Sequence, residues 1–486
     1  MDARRTTSRR GWIVSALLLI AVLTGAASAC TTAIISGLAT RDHRPLLWKN
    51  RDVDPAGQKL VFDDSGPIPF IAVTYQTDTN TAYMGINLEG FAIGNADIYN
   101  VSGGHPAHVD GYTMRWALSH CRDIFDFEAW LDSTNLTGGR WVCNYNVFDA
   151  FGHAGYFEVA DTYYTYFDAT DTLVAPTGWL VRANFAVSGS FSWSGLERYQ
   201  RARDLLQHAE RVDSVDVPYL IDHCARDLHS PDVDPYPLPY SALVPAVNTI
   251  CRYATKSAVV IQGVAPGEDP HRAILWAILG SPSVTPAIPC WVQAGAVPDL
   301  TNDPAGAPWN VQARAYRTAI WQGTVIDTRR LVNDMHTGLL DRVHDIDDWL
   351  QSQVAAFMMD WTTAAPSRSM LANFQNTLSV EAFHLYAGRF LLSADDPALP
   401  QVGDPLVAPN PSRDGRITLT WRTPPPPGSR LEVRVTDVLG QEVLRQSLHA
   451  TGGPVISFEL PDRPGAYLLE LSSGQTVTRE RVIRLP

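Results

Sequence analysis

The chain has 486 residues, 45% of them hydrophobic and 18% charged, with 34 Gly and 34 Pro. That length fits two or three domains, and the balance is that of a globular chain rather than a disordered or fibrous one. A formal net charge of −13 and six Cys argue against a general nucleic-acid binder, which needs a basic face, and against a disulfide scaffold.

The first element in chain order is a secretory signal. Residues 1–10 carry Arg4, Arg5, Arg9 and Arg10 against one acid, Asp2. Trp12 to Leu23 is almost wholly apolar, and small residues end at Ala27-Ser28-Ala29. A basic start, a short apolar core and an A-x-A end predict a signal peptide over 1–29, cut by a signal peptidase. The apolar run falls short of the roughly 20 residues that span a bilayer, and no later segment is apolar enough to do so. Ser8-Arg9-Arg10 is a weak twin-arginine cue. The expectation is an exported protein, secreted, periplasmic or at the cell surface, with no transmembrane span in the mature chain. Removing 29 of the 486 residues leaves 457, and losing four Arg and one Asp takes the charge from −13 to −16.

That cut makes Cys30 the first residue. Three readings compete: a structural cysteine, a lipoprotein anchor and an N-terminal nucleophile. Lipoprotein sites usually have Leu three residues before the Cys, and here Ala27 stands there. A free thiol, with a pKa near 8.5, is mostly protonated at neutral pH, whereas an α-amine has a pKa near 7.7–8.0. The amine can take the thiol proton, directly or through water, so one residue supplies nucleophile and base. Lipidation alkylates the same sulfur and acylates the same amine, so anchor and nucleophile exclude each other.

Cys30-Thr31-Thr32-Ala33-Ile34-Ile35-Ser36-Gly37 reads as a strand, the polar stretch Thr40 to Arg44 as a turn, and Pro45 to Trp48 as a second strand. Lys49-Asn50-Arg51-Asp52 follows; taken alone it reads as a solvated turn. Together these segments resemble the opening hairpin of the N-terminal-nucleophile hydrolases of linear amides, a group that includes choloylglycine hydrolases and penicillin acyltransferases (peptidase family C45). In that family an Asn-x-Asp closes the second strand, matched here by Asn50 and Asp52. The family often has Arg where this chain has Lys49. Either cation near Cys30 favours a thiolate, but Lys lacks the bidentate fork.

Further segments continue the resemblance in order. Gly85 to Asn95 is similar to the family's strand-turn-strand, and Val142 to Ala150 with Gly155 to Glu158 reads as a core hairpin. Leu180 to Phe185 carries a second Asn, and Arg198 matches the Arg that follows it in the bile-salt enzymes. Thr249 to Arg252 and Ala273 to Val292 also look familiar, so the resemblance covers about residues 30–395.

It implies roles. Cys30 attacks an amide carbonyl. Asn95 and Asn184 offer side-chain N–H groups to the tetrahedral oxyanion. Asp52 orients the α-ammonium or the thiol, Arg198 joins the catalytic set, and Lys49 and Asn50 meet the substrate. The acyl-enzyme then passes to water or to an amine. The alternative is a lipid-anchored surface protein whose domains bind or scaffold.

Other chemistry is thin. No G-x-S-x-G elbow, Walker loop or G-x-G-x-x-G opening a helix is present, and no cofactor or metal is expected. His105 and His108 read as loop, as does His229 near Asp227; His336 and His344 flank an acidic helical face. Cys121, Cys143, Cys224, Cys251 and Cys290 permit at most two disulfides, of unspecified pairing.

The first half mixes strands with a few helices; Leu196, Tyr199, Leu205, Leu206 and Ala209 mark an amphipathic helix. Residues 308–395 read as helices over Val311 to Met335, Leu339 to Met359 and Ser367 to Leu392. Composition says α+β; the resemblance implies an αββα sandwich. Residues 396–413 read as a Pro- and Asp-rich linker. In 414–486, five segments near 417–421, 431–435, 455–460, 466–471 and 481–485 alternate at period two, predicting a small antiparallel β-sandwich, immunoglobulin-like. Pro409-Asn410-Pro411, Asp437 to Gly440 and Gly465-Ala466-Tyr467 resemble C-terminal sorting domains of type IX secretion, which implies secretion machinery as a partner beside the amide substrate.

Overall fold

The computed structural model describes residues 29–387 apart from 55–56, 105–108, 239–242, 334–335 and 363, together with the strands of a C-terminal β region between 406 and 484. The predicted signal peptide up to residue 28, most of the predicted linker, and His105 and His108 lie outside the described residues.

Two antiparallel sheets form the centre. One holds β1 (Ala29–Ile35), β2 (Leu46–Asp52), β10 (Trp179–Arg182), β12 (Thr255–Gln262), β13 (Ile274–Ile278) and β14 (Ile288–Cys290), in the order β10-β1-β2-β12-β13-β14. The other runs in sequence order through β3 (Gln58–Asp63), β4 (Phe70–Tyr75), β5 (Met84–Asn87), β6 (Ala92–Asp97), β7 (Cys143–Phe148), β8 (Ala154–Val159) and β9 (Tyr164–Asp168).

Period-two alternation explains the layering. In β4, Ile71 and Val73 join Ile34, Leu47 and Trp48 in one core, while Phe70 and Ala72 join the opposite one. That second core is filled by Met114 and Leu118 of α1 (Val109–His120) and by Phe127 and Leu131 of α2 (Ile124–Thr134). The six-stranded sheet is backed by α3 (Leu196–Arg211) and by the helices that follow it. These are α4 (Val217–Tyr219), which runs into a π-helical turn at Leu220–Ala225, then α5 (Pro308–Ile320), α6 (Leu339–Trp361) and α7 (Arg368–Tyr386). The order is helix, sheet, sheet, helix. Polar side chains fasten the sheets together: Asn146 Nδ2 donates to the Ala33 carbonyl, and Tyr156 Oη to Thr32 Oγ1.

The helix expected over Val311 to Met335 stops at Ile320. Trp321-Gln322 and Val325-Ile326-Asp327 form a hairpin, β15 (Trp321–Gln322) and β16 (Val325–Asp327), which extends β11 (Leu243–Pro245). Gly323, at φ 61°, makes the turn, and the β-branched run after it favours a strand over another helical turn. All six cysteines are unpaired and buried.

The C-terminal region holds two small sheets. One is β17 (Leu406–Ala408), β18 (Arg416–Thr420) and β21 (Val455–Glu459); the other is β19 (Arg430–Asp437), β20 (Glu442–His449), β22 (Gly465–Ser473) and β23 (Thr476–Arg484). Ile417, Leu419 and Phe458 of the first pack with Val433, Val435 and Leu469 of the second. β17 lies within the stretch expected as linker, and Pro409-Asn410-Pro411 lies outside the described residues. Among the described residues no helix is long and apolar enough to cross a membrane.

Candidate active site

The hairpin of β1 and β2 sets the site. Cys30 stands opposite Arg51, Thr31 opposite Asn50, Thr32 opposite Lys49 and Ala29 opposite Asp52. Opposed residues share a face, so Cys30, Thr32, Lys49 and Arg51 look toward the seven-stranded sheet, while Thr31, Asn50 and Asp52 look toward the helices behind. Far from being a solvated turn, Lys49, Asn50, Arg51 and Asp52 are all about 1% exposed or less.

A cavity of about 220 Å³ opens on the first face, lined by Cys30, Lys49, Arg51, Val53, Tyr75, Tyr83, Asn95, Asp97, Asp110 and Trp141. Lys49 Nζ donates to Asn95 Oδ1 at 2.5 Å and to the Tyr83 carbonyl at 2.8 Å. Asn95 Nδ2 in turn donates to Asp110 Oδ2 at 3.4 Å. Arg51 lies over the rings of Tyr83 and Tyr75, 3.8 and 4.3 Å from their centroids. Asp97 accepts from Trp141 Nε1 at 2.7 Å.

Burial governs the electrostatics. It pushes the Cys30 thiol up; Lys49 pulls it back, Asp52 and Asp97 push it further, and a hydrogen bond from the Asp52 backbone lowers it. Burial also lowers the Lys49 ammonium, with Cys30 and the two cavity carboxylates working against that. Asp110 is raised by burial. Each charged form is disfavoured by lost solvent and partly restored by its neighbours.

The backbone of Cys30 is held from the side. Its N–H donates to Asn184 Oδ1 at 3.2 Å, and its carbonyl accepts from Arg198 Nη1 at 2.6 Å. Arg198 also donates to Thr31 Oγ1 and Asn184 Oδ1. Gly195 precedes α3 at φ 76°, and a Cβ there would come within 2.5 Å of the Arg198 guanidinium; only glycine leaves both the conformation and the space. Glu158 fixes the loop after Asn184: it pairs with Arg182 at 2.5 Å and accepts from the Val187 and Ser188 backbone N–H groups.

The structure therefore sorts the expected site residues. Cys30, Lys49 and Asn95 line the cavity. Asn184 and Arg198 clamp the Cys30 main chain from outside it. The Asn184 amide N–H that was expected to face an oxyanion donates to the Asp97 carbonyl instead, at 2.9 Å. Asp52 lies on the opposite face, accepting from Thr255 Oγ1 at 2.7 Å with Arg252 3.8 Å away, and burial raises it. Asn50, expected to meet substrate, also faces away: it accepts from Trp48 Nε1 and donates to the Ala225 and Ile250 carbonyls.

Sequence reading missed Arg51, Tyr83, Asp97 and Asp110. Asp97 carried a usable signal, because it follows Asn95 by two on one strand and so shares its face. Asp110 did not; it arrives from the first turn of α1.

No family model matches the chain, and no curated protein matches it. Among solved structures it is similar to penicillin V acylase from Agrobacterium tumefaciens, at 13% identity over 54% of this chain and 86% of that one, with a TM-score of 0.32. It is also similar to two variants of conjugated bile acid hydrolase from Clostridium perfringens. One has 13% identity over 51% and 89% of the two chains (TM-score 0.32), the other 11% over 54% and 92% (TM-score 0.34).

Proposed function

We propose that the chain is an exported cysteine hydrolase or acyltransferase of linear amides, activated by cleavage between Ala29 and Cys30. The observation that carries this is the placing of Cys30: 4% exposed, side chain on the wall of a cavity, main chain gripped by Asn184 and Arg198. Removing Ala29 turns the nitrogen beside Asn184 into an amine, one register step from Asp52, which stands opposite Ala29 in the hairpin.

The amine takes the thiol proton and the sulfur adds to the amide carbonyl. Lys49 and the Asn95 amide stabilise the oxyanion. The tetrahedral intermediate collapses by breaking the C–N bond, and the leaving amine carries off the proton held by the α-amine. Water or a second amine then opens the thioester. The cavity is smaller than the ~300–1,000 Å³ of drug-sized ligand sites, which favours a short acyl group or a single ring among Tyr75, Tyr83 and Trp141.

Burial of Cys30 in a strand favours this over the lipid anchor, whose alkylated sulfur must reach a membrane. Signal peptidase is the proposed activating partner, and the C-terminal sheets a proposed immunoglobulin-like sorting module. The test is the intact mass and N-terminal peptide of the exported protein, with turnover of wild type and Cys30→Ser on a panel of N-acyl amides. A free Cys30 amine and loss of turnover in Cys30→Ser are expected. A diacylglyceryl mass, or unchanged turnover in the variant, would overturn the proposal.

A further inference from the structure

A second cavity, about 200 Å³, lies between α5 and the loop after β13, and its lining includes Lys256, Ser281, Arg314, Arg317 and Thr318. No residue is common to it and the Cys30 cavity, so it stands apart from the function proposed above.

Its charge is unusual for this chain. The molecule carries a net −13, yet three cations and no carboxylate line this pocket. Arg314, Arg317 and Thr318 are three and four residues apart and share a face of α5. Lys256 comes from β12. Lys256 Nζ, at 3.1 Å, and Arg317 Nη2 both donate to one neutral oxygen, the Tyr253 carbonyl. Arg317 Nε is buried and makes no hydrogen bond.

A helix C-terminus attracts cations, which accounts for Arg317 but not for a lysine brought in from a strand. Like charges at this spacing repel unless an anion joins them. Burial, helped by Arg317 and Arg314 and opposed by Asp54 and Asp52, lowers Lys256 to about 8.

We propose that this pocket binds a tetrahedral dianion, either free or as the terminal group of a phosphate monoester. The three cations of its lining, Lys256, Arg314 and Arg317, supply the charge and the N–H donors. Such a fork-and-charge arrangement suits oxyanions.

The probe is sodium sulfate, whose charge is constant above neutral pH, titrated against sodium chloride at matched ionic strength. We expect a saturable rise in melting temperature of roughly 3–6 °C at about a hundredfold excess over Kd. Binding should weaken at least threefold between pH 7 and 9.5, as Lys256 loses its proton. Arg314→Glu, at an exposed position that leaves the fold untouched, should weaken binding at least tenfold. Lys256→Met should remove the pH dependence. Parallel titrations with inorganic phosphate and phosphoserine separate the two sources: tighter phosphoserine points to a monoester, tighter phosphate to the free ion. A wild type without saturation, or both variants binding as wild type does, would overturn the proposal.

Discussion

Two buried charge clusters in this molecule solve the same problem differently. Around Arg226, 2% exposed, every direction is answered by protein: Asp222 and Asp347 pair with it, and the Pro282 and Thr285 carbonyls accept from it. Asp347 also accepts the Ala287 N–H. The cluster ties the π-helical turn to α6. Around Cys30, charge is left facing space. Lys49 reaches neutral oxygens, and Asn95 stands between its ammonium and the Asp110 carboxylate. Closed pairing makes a strut; open pairing with a cavity makes a place where an incoming group completes the network.

The sharpest way to break that contrast is to remove one group from each. Cys30→Ala should lower turnover of any amide substrate at least about a thousandfold. Its urea unfolding midpoint should stay near that of wild type, since Ala fills most of the same space. Arg226→Met should do the reverse. It leaves the Asp347 carboxylate buried without its cation, beside a half-buried Asp222, so unfolding stability should fall by about 3–5 kcal/mol, while turnover per folded molecule holds within twofold. A catalytic defect in folded Arg226→Met, or unchanged turnover in Cys30→Ala, would erase the distinction.

How much of this was legible in the sequence depended on where the partners come from. The strands of the Cys30 hairpin and α3 were readable because their apolar spacing is local, and the strand-turn-strand at Asn95 through its resemblance to the amide hydrolases. The burial of Lys49 to Asp52 was not. Four polar residues in a row look like a turn, and the groups that hold them (Tyr83, Asn95, Ala225, Thr255) lie 34 to 203 residues away. The same holds for Asn50 and Asn184, whose facing is set by the register of β1 with β2 and by Asp97. In the C-terminal region β20 escaped notice because Glu442–His449, at the edge of its sheet, buries almost nothing, so no hydrophobic alternation marks it.

Lys49 tests the open cluster more gently. Its charge opposes the effect of burial on Cys30, so Lys49→Met should raise the thiol further. Alkylation of Cys30 by iodoacetamide should then slow at pH 8, with the midpoint of its pH profile moving up by about one unit. Lys49→Arg should restore most of the rate, because it keeps the charge. An unchanged profile in Lys49→Met would mean that the buried lysine is neutral and that the Cys30 cavity is polarised by Asn95 and backbone alone.

The smallest effect sets the baseline for both clusters. Arg44 pairs with Glu268 through two contacts of 2.8 Å in a half-buried position at the surface. Hydrogen bonding to Arg44 holds the Glu268 carboxyl down at about 2 against an ordinary 4.5. A depressed acid stabilises the fold above its unfolded value, and that contribution fades as pH falls from about 4.5 toward 2. Solvent screens the pair, so Glu268→Gln should cost less than about 1 kcal/mol at neutral pH. The variant should also flatten the acid limb of stability against pH, read from urea midpoints at pH 7, 4 and 3. A cost as large as that of Arg226→Met would show that burial is not what separates struts from surface pairs in this fold.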